Sequence, residues 1–133
     1  MKQDSLSSLL KRAQEAYQAG RYPEAAGLFE QAARQYSQGG DQVNAAEMAN
    51  NRSVALLQAG DAQGALDVAQ GTDEVFARAG DVRRQGLAIG NLAAALEGLH
   101  RPDDALQRYR QSADLLKQAG DTDNRARVSK SIS

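Results

Sequence analysis

An all-α fold, an α-solenoid of antiparallel helix hairpins, is predicted by three observations: the composition, a turn signal every 20 residues, and apolar spacing at helical intervals between the turns. The strong helix formers Ala, Gln, Leu, Arg and Glu dominate the chain, and only two prolines occur, Pro23 and Pro102. No long β-branched run suggests a strand. The string Gln38-Gly39-Gly40-Asp41 returns as Arg78-Ala79-Gly80-Asp81 and as Gln118-Ala119-Gly120-Asp121, a period of 40 residues. Halfway between lie Gln18-Ala19-Gly20-Arg21, Gln58-Ala59-Gly60-Asp61 and Leu99-His100-Arg101, so five marks of six carry Gly.

Each mark has a physical meaning. Gly just past a helix reaches the left-handed conformation without steric cost. Asp after it can cap the next helix by accepting a hydrogen bond from an orphan amide. Pro23 and Pro102 fall in a first turn, where a missing N–H does no harm. Helices are therefore predicted over about 5–19, 23–38, 42–59, 62–79, 82–99, 102–119 and 122–133.

In the first helix, Leu6, Leu9, Leu10, Ala13, Ala16 and Tyr17 follow the spacing of an amphipathic helix. The second opens beside Pro23 and carries Ala25, Phe29, Ala32 and Tyr36. The third follows the cap Asp41, with the small Ser53 in its middle. The fourth holds Gly71 in its interior, which costs about 1 kcal/mol against Ala. The fifth shows Leu87, Ile89, Leu92, Ala93, Leu96 and Leu99, again at helical spacing. The sixth opens at Pro102 and ends near Leu116. The seventh follows Asp121 and is polar apart from a Val128–Ile132 stripe. That stripe is expected to cover the third hairpin around Leu115 and Leu116, so the segment can act as a terminal cap. No helix stop follows it, so the chain reads as a fragment of a longer protein, with weak homo-oligomerisation through its C-terminal helix as a consequence.

Positions 40 apart support the repeat. Ala25, Ala65 and Ala105 coincide, as do the large apolar Tyr36, Phe76 and Leu116, and the small Ala13, Ser53 and Ala93. Small residues let two helices approach closely, and large ones fill the wedge between successive hairpins. One such hairpin cannot bury its face alone, so stacking is required.

These stretches resemble the tetratricopeptide family. Ala55-Leu56-Leu57-Gln58-Ala59-Gly60-Asp61-Ala62-Gln63-Gly64-Ala65-Leu66 is similar to its inter-helix turn, and Asn91-Leu92-Ala93 to its Asn-Leu-Gly start. Gly20-Arg21-Tyr22-Pro23-Glu24-Ala25-Ala26, with Phe29 and Ala32, matches in the first hairpin. The common repeat is roughly 34 residues; this spacing is similar to the 40-residue variant of kinesin light chains and bacterial signalling proteins. The resemblance implies one domain, 1–133, with repeats at about 5–41, 42–81 and 82–121 and an extra helix at 122–133. Arg12 and Arg52 depart from the pattern where the family has Leu, His100 where it has Gly, and Thr72 and Ser112 where Ala is frequent. HEAT-type repeats overlap this length range, but the Gly-Asp marks argue against them.

Composition narrows the function. The 16 basic and 17 acidic residues nearly cancel, so no basic footprint points to nucleic acid, and an RNA-binding helical repeat is disfavoured. No apolar run approaches a membrane span, and Met1-Lys2-Gln3-Asp4-Ser5 lacks a signal peptide's apolar segment. The expectation is a soluble, cytoplasmic protein. Arg outnumbers Lys twelve to four, as in GC-rich bacterial genomes. With no Cys and one His, His100, no catalytic constellation or metal site is suggested. No phosphate-binding Gly-rich loop occurs. The expectation is a non-enzyme with no cofactor.

The resemblance also implies a groove that holds a partner protein or peptide, lined by the first helix of each hairpin. By register the groove residues are Lys11, Gln14 and Gln18; Glu47, Asn50, Asn51, Val54 and Gln58; and Leu87, Gly90, Asn91, Ala94 and Gly98, with Lys130 extending them. Asn51 and Asn91 are 40 apart, and an amide pair at such positions can both donate to and accept from a peptide backbone. Gly86, Gly90, Ala94 and Gly98 form a small-residue stripe. Either a neighbouring helix or a ligand is expected to approach it closely, the helix being the commoner use.

Overall fold

The structure, a computed structural model, describes residues 5–133. The reading of Met1 to Asp4 lies outside the described residues. Every element among the described residues is an α-helix. They are α1 (Leu6–Gln18), α2 (Tyr22–Gln38), α3 (Gln42–Gln58), α4 (Ala62–Ala69), α5 (Thr72–Arg78), α6 (Val82–Gly98), α7 (Pro102–Gln118) and α8 (Thr122–Ile132). Two compact units are present, Met1–Val68 and Ala69–Ser133. The all-α hairpin architecture is as the sequence predicts.

The capping marks work as expected. The carboxylates of Asp41, Asp81 and Asp121 accept from the backbone N–H of Asn44, Arg84 and Asn124 at 3.1, 3.0 and 3.2 Å. Asp61 accepts from Gly64 N–H at 2.8 Å, and Ser5 from Ser8 N–H at 3.2 Å. Arg21 and Arg101 make no cap bond; their guanidinium groups instead pair with Glu24 and Asp104, each at 2.7 Å. Gly20, Gly40, Gly60, Gly80 and Gly120 close the preceding helices with φ between 73° and 92°.

His100 takes the same left-handed conformation with φ 60°, the only non-Gly residue to do so among the described residues. A side chain there costs roughly 1 kcal/mol that Gly avoids. His100→Gly is therefore expected to stabilise the protein by about 1 kcal/mol. Urea denaturation checks this; an unchanged or lower midpoint would contradict it.

The predicted fourth helix, 62–79, does not run through. Gly71 adopts φ 87° and divides it into α4 and α5. The expected cost of an interior Gly is thus avoided by ending the helix there. Thr72, at one of the departures from the repeat pattern, is buried, and its hydroxyl donates to the Ala69 carbonyl at 2.8 Å. That bond satisfies an acceptor the break leaves at the end of α4.

In the first unit, Leu9, Ala13 and Ala16 of α1 pack with Ala25, Leu28, Phe29 and Ala32 of α2 and with Met48 and Ala55 of α3. Ser53 is buried and donates to the Ala65 carbonyl at 2.7 Å, tying α3 to α4. Arg52, where an apolar residue was expected from the family pattern, pairs with Glu30 of α2 at 3.1 Å.

The second unit centres on Phe76, Ile89, Leu92, Ala93, Ala105, Tyr109 and Leu116. Ser112 is fully buried and donates to the Gly86 carbonyl at 2.7 Å, joining α7 to α6. Val128 of α8 is buried as well, while Ile132 is half-buried. Arg83 of α6 reaches the Asp121 cap of α8 at 2.8 Å.

The side-chain amide of Asn44, at 2.7 Å, and its backbone N–H hold the Asp41 carboxyl below its ordinary value. Asn124 does the same for Asp121, helped by Arg83. A depressed folded pKa adds stability that is fully present above the unfolded value of about 3.9 and is lost as pH falls through the folded one. Denaturation midpoints should therefore fall below about pH 4. The fall should be shallower in an Asp41→Asn/Asp121→Asn variant, and an equal slope would exclude these caps as its source.

Candidate functional site

In the first unit, residues 10, 14 and 17 of α1 share one helical face by their spacing, as do 48, 51 and 54 of α3. The two faces and Phe29 of α2 line a solvent-open cavity of about 510 Å³. Its lining is Leu10, Gln14, Tyr17, Phe29, Met48, Asn51 and Val54. Five of these are apolar or aromatic, and Gln14 and Asn51 supply the polar groups. No lining residue is an acid, Lys or Arg. The Tyr17 ring is further braced edge-on by Tyr22, with centroids 5.3 Å apart.

Three residues expected in the groove, Gln14, Asn51 and Val54, line this cavity. Lys11, Gln18 and Gln58 are exposed and Glu47 is half-buried, all outside the lining. Asn50 is a correction: it is buried, and its side-chain amide donates to the Ala46 carbonyl at 3.3 Å. Its amide is thus engaged on its own helix and lies outside the cavity lining.

In the second unit Leu87, Asn91 and Ala94 are half-buried on α6, Gly98 ends that helix exposed, and Lys130 is exposed on α8. Gly90 is also a correction. A Cβ there would lie 3.1 Å from Ser112 Oγ and 3.9 Å from Val128 Cγ2, so packed helices face it. Gly86 likewise faces Leu115 and Leu116.

Sequence reasoning placed Leu10, Tyr17 and Phe29 among the apolar and repeat-pattern residues and passed over Met48. Core and cavity-lining residues share one apolar spacing, so the pattern carries no signal that separates them. Among the described residues, no group of three or more His, Cys, Asp or Glu could hold a metal ion. No helix among them is long and apolar enough to cross a membrane.

The family model described as SNAP, soluble NSF attachment protein, matches residues 1–131. The chain belongs to the soluble NSF attachment protein family. The sequence resemblance points to the tetratricopeptide family; the matching family is instead that of the soluble NSF attachment proteins, and the all-helical hairpins agree with a helical-repeat family. Nothing among the curated proteins matches the chain.

Proposed function

We propose that this member of the soluble NSF attachment protein family is a non-catalytic protein–protein interaction module of the cytoplasm, built from tetratricopeptide-like repeats of the 40-residue kind. The family's name describes proteins that attach to another protein, and attachment is the part carried over here. The observation that carries the reading is the cavity of about 510 Å³ between α1, α2 and α3, with its apolar lining and two amides. Its size falls in the ~300–1,000 Å³ range of ligand pockets, and its mix of many apolar and few polar groups is typical of them. Self-association through α8 would have to rest on the half-buried Ile132, because Val128 is already buried within its unit. A different protein is therefore the favoured partner.

Retention of partner proteins by the immobilised chain tests the reading. Asn51→Ala is expected to reduce retention several-fold while shifting stability by no more than about 0.5 kcal/mol. Asn91→Ala makes the parallel test of the second unit. Unaltered retention by Asn51→Ala would remove the cavity as the site.

A further inference from the structure

We infer that the first-unit cavity takes an uncharged aliphatic side chain, presented by a chain segment whose neighbouring peptide group pairs with Gln14 and Asn51; this rests on the cavity being the binding site. The lining decides the first half. A carboxylate, ammonium or guanidinium pressed against the apolar walls would lose part of its hydration, and no lining side chain offers an opposite charge to replace it. Met48 is unbranched and polarizable, which lets the wall follow aliphatic shapes of different branching.

The two amides decide the second half. Each carries one carbonyl acceptor and one NH2 donor, the same complement as a peptide group. Gln14 comes from α1 and Asn51 from α3, so they meet an incoming segment from two different helices. An aliphatic side chain flanked by peptide groups satisfies both parts of the lining at once. A free hydrocarbon would leave the amides without a ligand partner, and a charged residue would conflict with the walls.

The chain offers a selective reporter. It has two methionines, Met1 and Met48, and Met48 lines the cavity. Protein labelled with ¹³C-methyl methionine would be titrated with N-acetyl-leucinamide, with the anion N-acetyl-leucine, and with the cation N-acetyl-argininamide. The Met48 methyl resonance is expected to move with N-acetyl-leucinamide, with a Kd on the order of 1–10 mM for so small a ligand. Both charged probes should bind at least about tenfold more weakly. Gln14→Ala and Asn51→Ala should each weaken the leucinamide about threefold to tenfold, the worth of one hydrogen bond, with the unfolding midpoint unchanged. Equal or tighter binding of a charged probe would overturn the inference and leave the cavity standing as a site. Unaltered leucinamide binding by both amide variants would overturn the peptide-group pairing. A Met48 resonance unmoved by all three probes would overturn both the inference and the site.

Discussion

Replacing Phe76 by Ala is expected to remove about 3–5 kcal/mol of stability, the usual cost of truncating a buried aromatic residue. Phe76 is 2% exposed and is among the largest fully buried side chains of the molecule. It stands near the end of the short α5, which has only seven residues. A helix of that length has little stability of its own, so packing must hold it. The ring is therefore expected to fix α5 as well as fill space. Single domains are stable by only about 5–15 kcal/mol, so this substitution alone should bring the protein near its unfolding threshold. Tyr36 occupies the equivalent position 40 residues earlier but is half-buried, so Tyr36→Ala should cost clearly less. Urea denaturation followed by far-ultraviolet circular dichroism checks both. A loss under about 1 kcal/mol for Phe76→Ala, or an equal loss for Tyr36→Ala, would contradict the packing described.

The difference between those two positions shows where sequence reading reaches its limit. The turn marks were legible because each is a local event: Gly at positive φ, then Asp accepting from an amide three residues on. Neither depends on what packs nearby, so the period of 40 carried directly into helix ends. The small residues Ala13, Ser53 and Ala93 were legible too, and all are buried.

Gly71 was less legible. An interior Gly can be tolerated in a helix at a cost or can end it, and its left-handed backbone decides between these only in the folded chain. The groove suffered from a different ambiguity. Asn50 and Asn51 are neighbours of the same type, yet one turns into α3's own backbone and the other into the cavity. A rotation of about 100° per residue separates them, and register alone fixes the facing helix no better than that. Leu10 and Tyr17 follow the apolar spacing of core residues and still line a cavity, because nothing in a one-dimensional pattern tells whether a further side chain covers them.

The glycine stripe of α6 was open to two explanations, close helix packing or a ligand's approach, and substitution separates them. A Cβ on Gly86 would lie 3.1 Å from Leu116 Cγ and 3.2 Å from Leu115 Cβ. Leu115 Cβ is fixed beside the α7 backbone and cannot swing away, so α6 and α7 would have to give by a few tenths of an ångström. Such movement would also strain the 2.7 Å bond from Ser112 to the Gly86 carbonyl. Gly86→Val is accordingly expected to destabilise the protein by about 1–3 kcal/mol, the range for overpacking a core. This outweighs the gain of a few tenths of a kcal/mol that Val has over Gly in helix propensity. A second substitution identifies the cause. Leu116→Ala creates space beside Gly86 and alone should cost about 2–5 kcal/mol. The two changes fill and empty the same place, so the double variant should lose less than the sum of the singles by more than about 0.5 kcal/mol. Additive losses would mean that Leu116 is not what resists the added side chain. A stable Gly86→Val protein with altered partner binding would instead assign the stripe to a ligand.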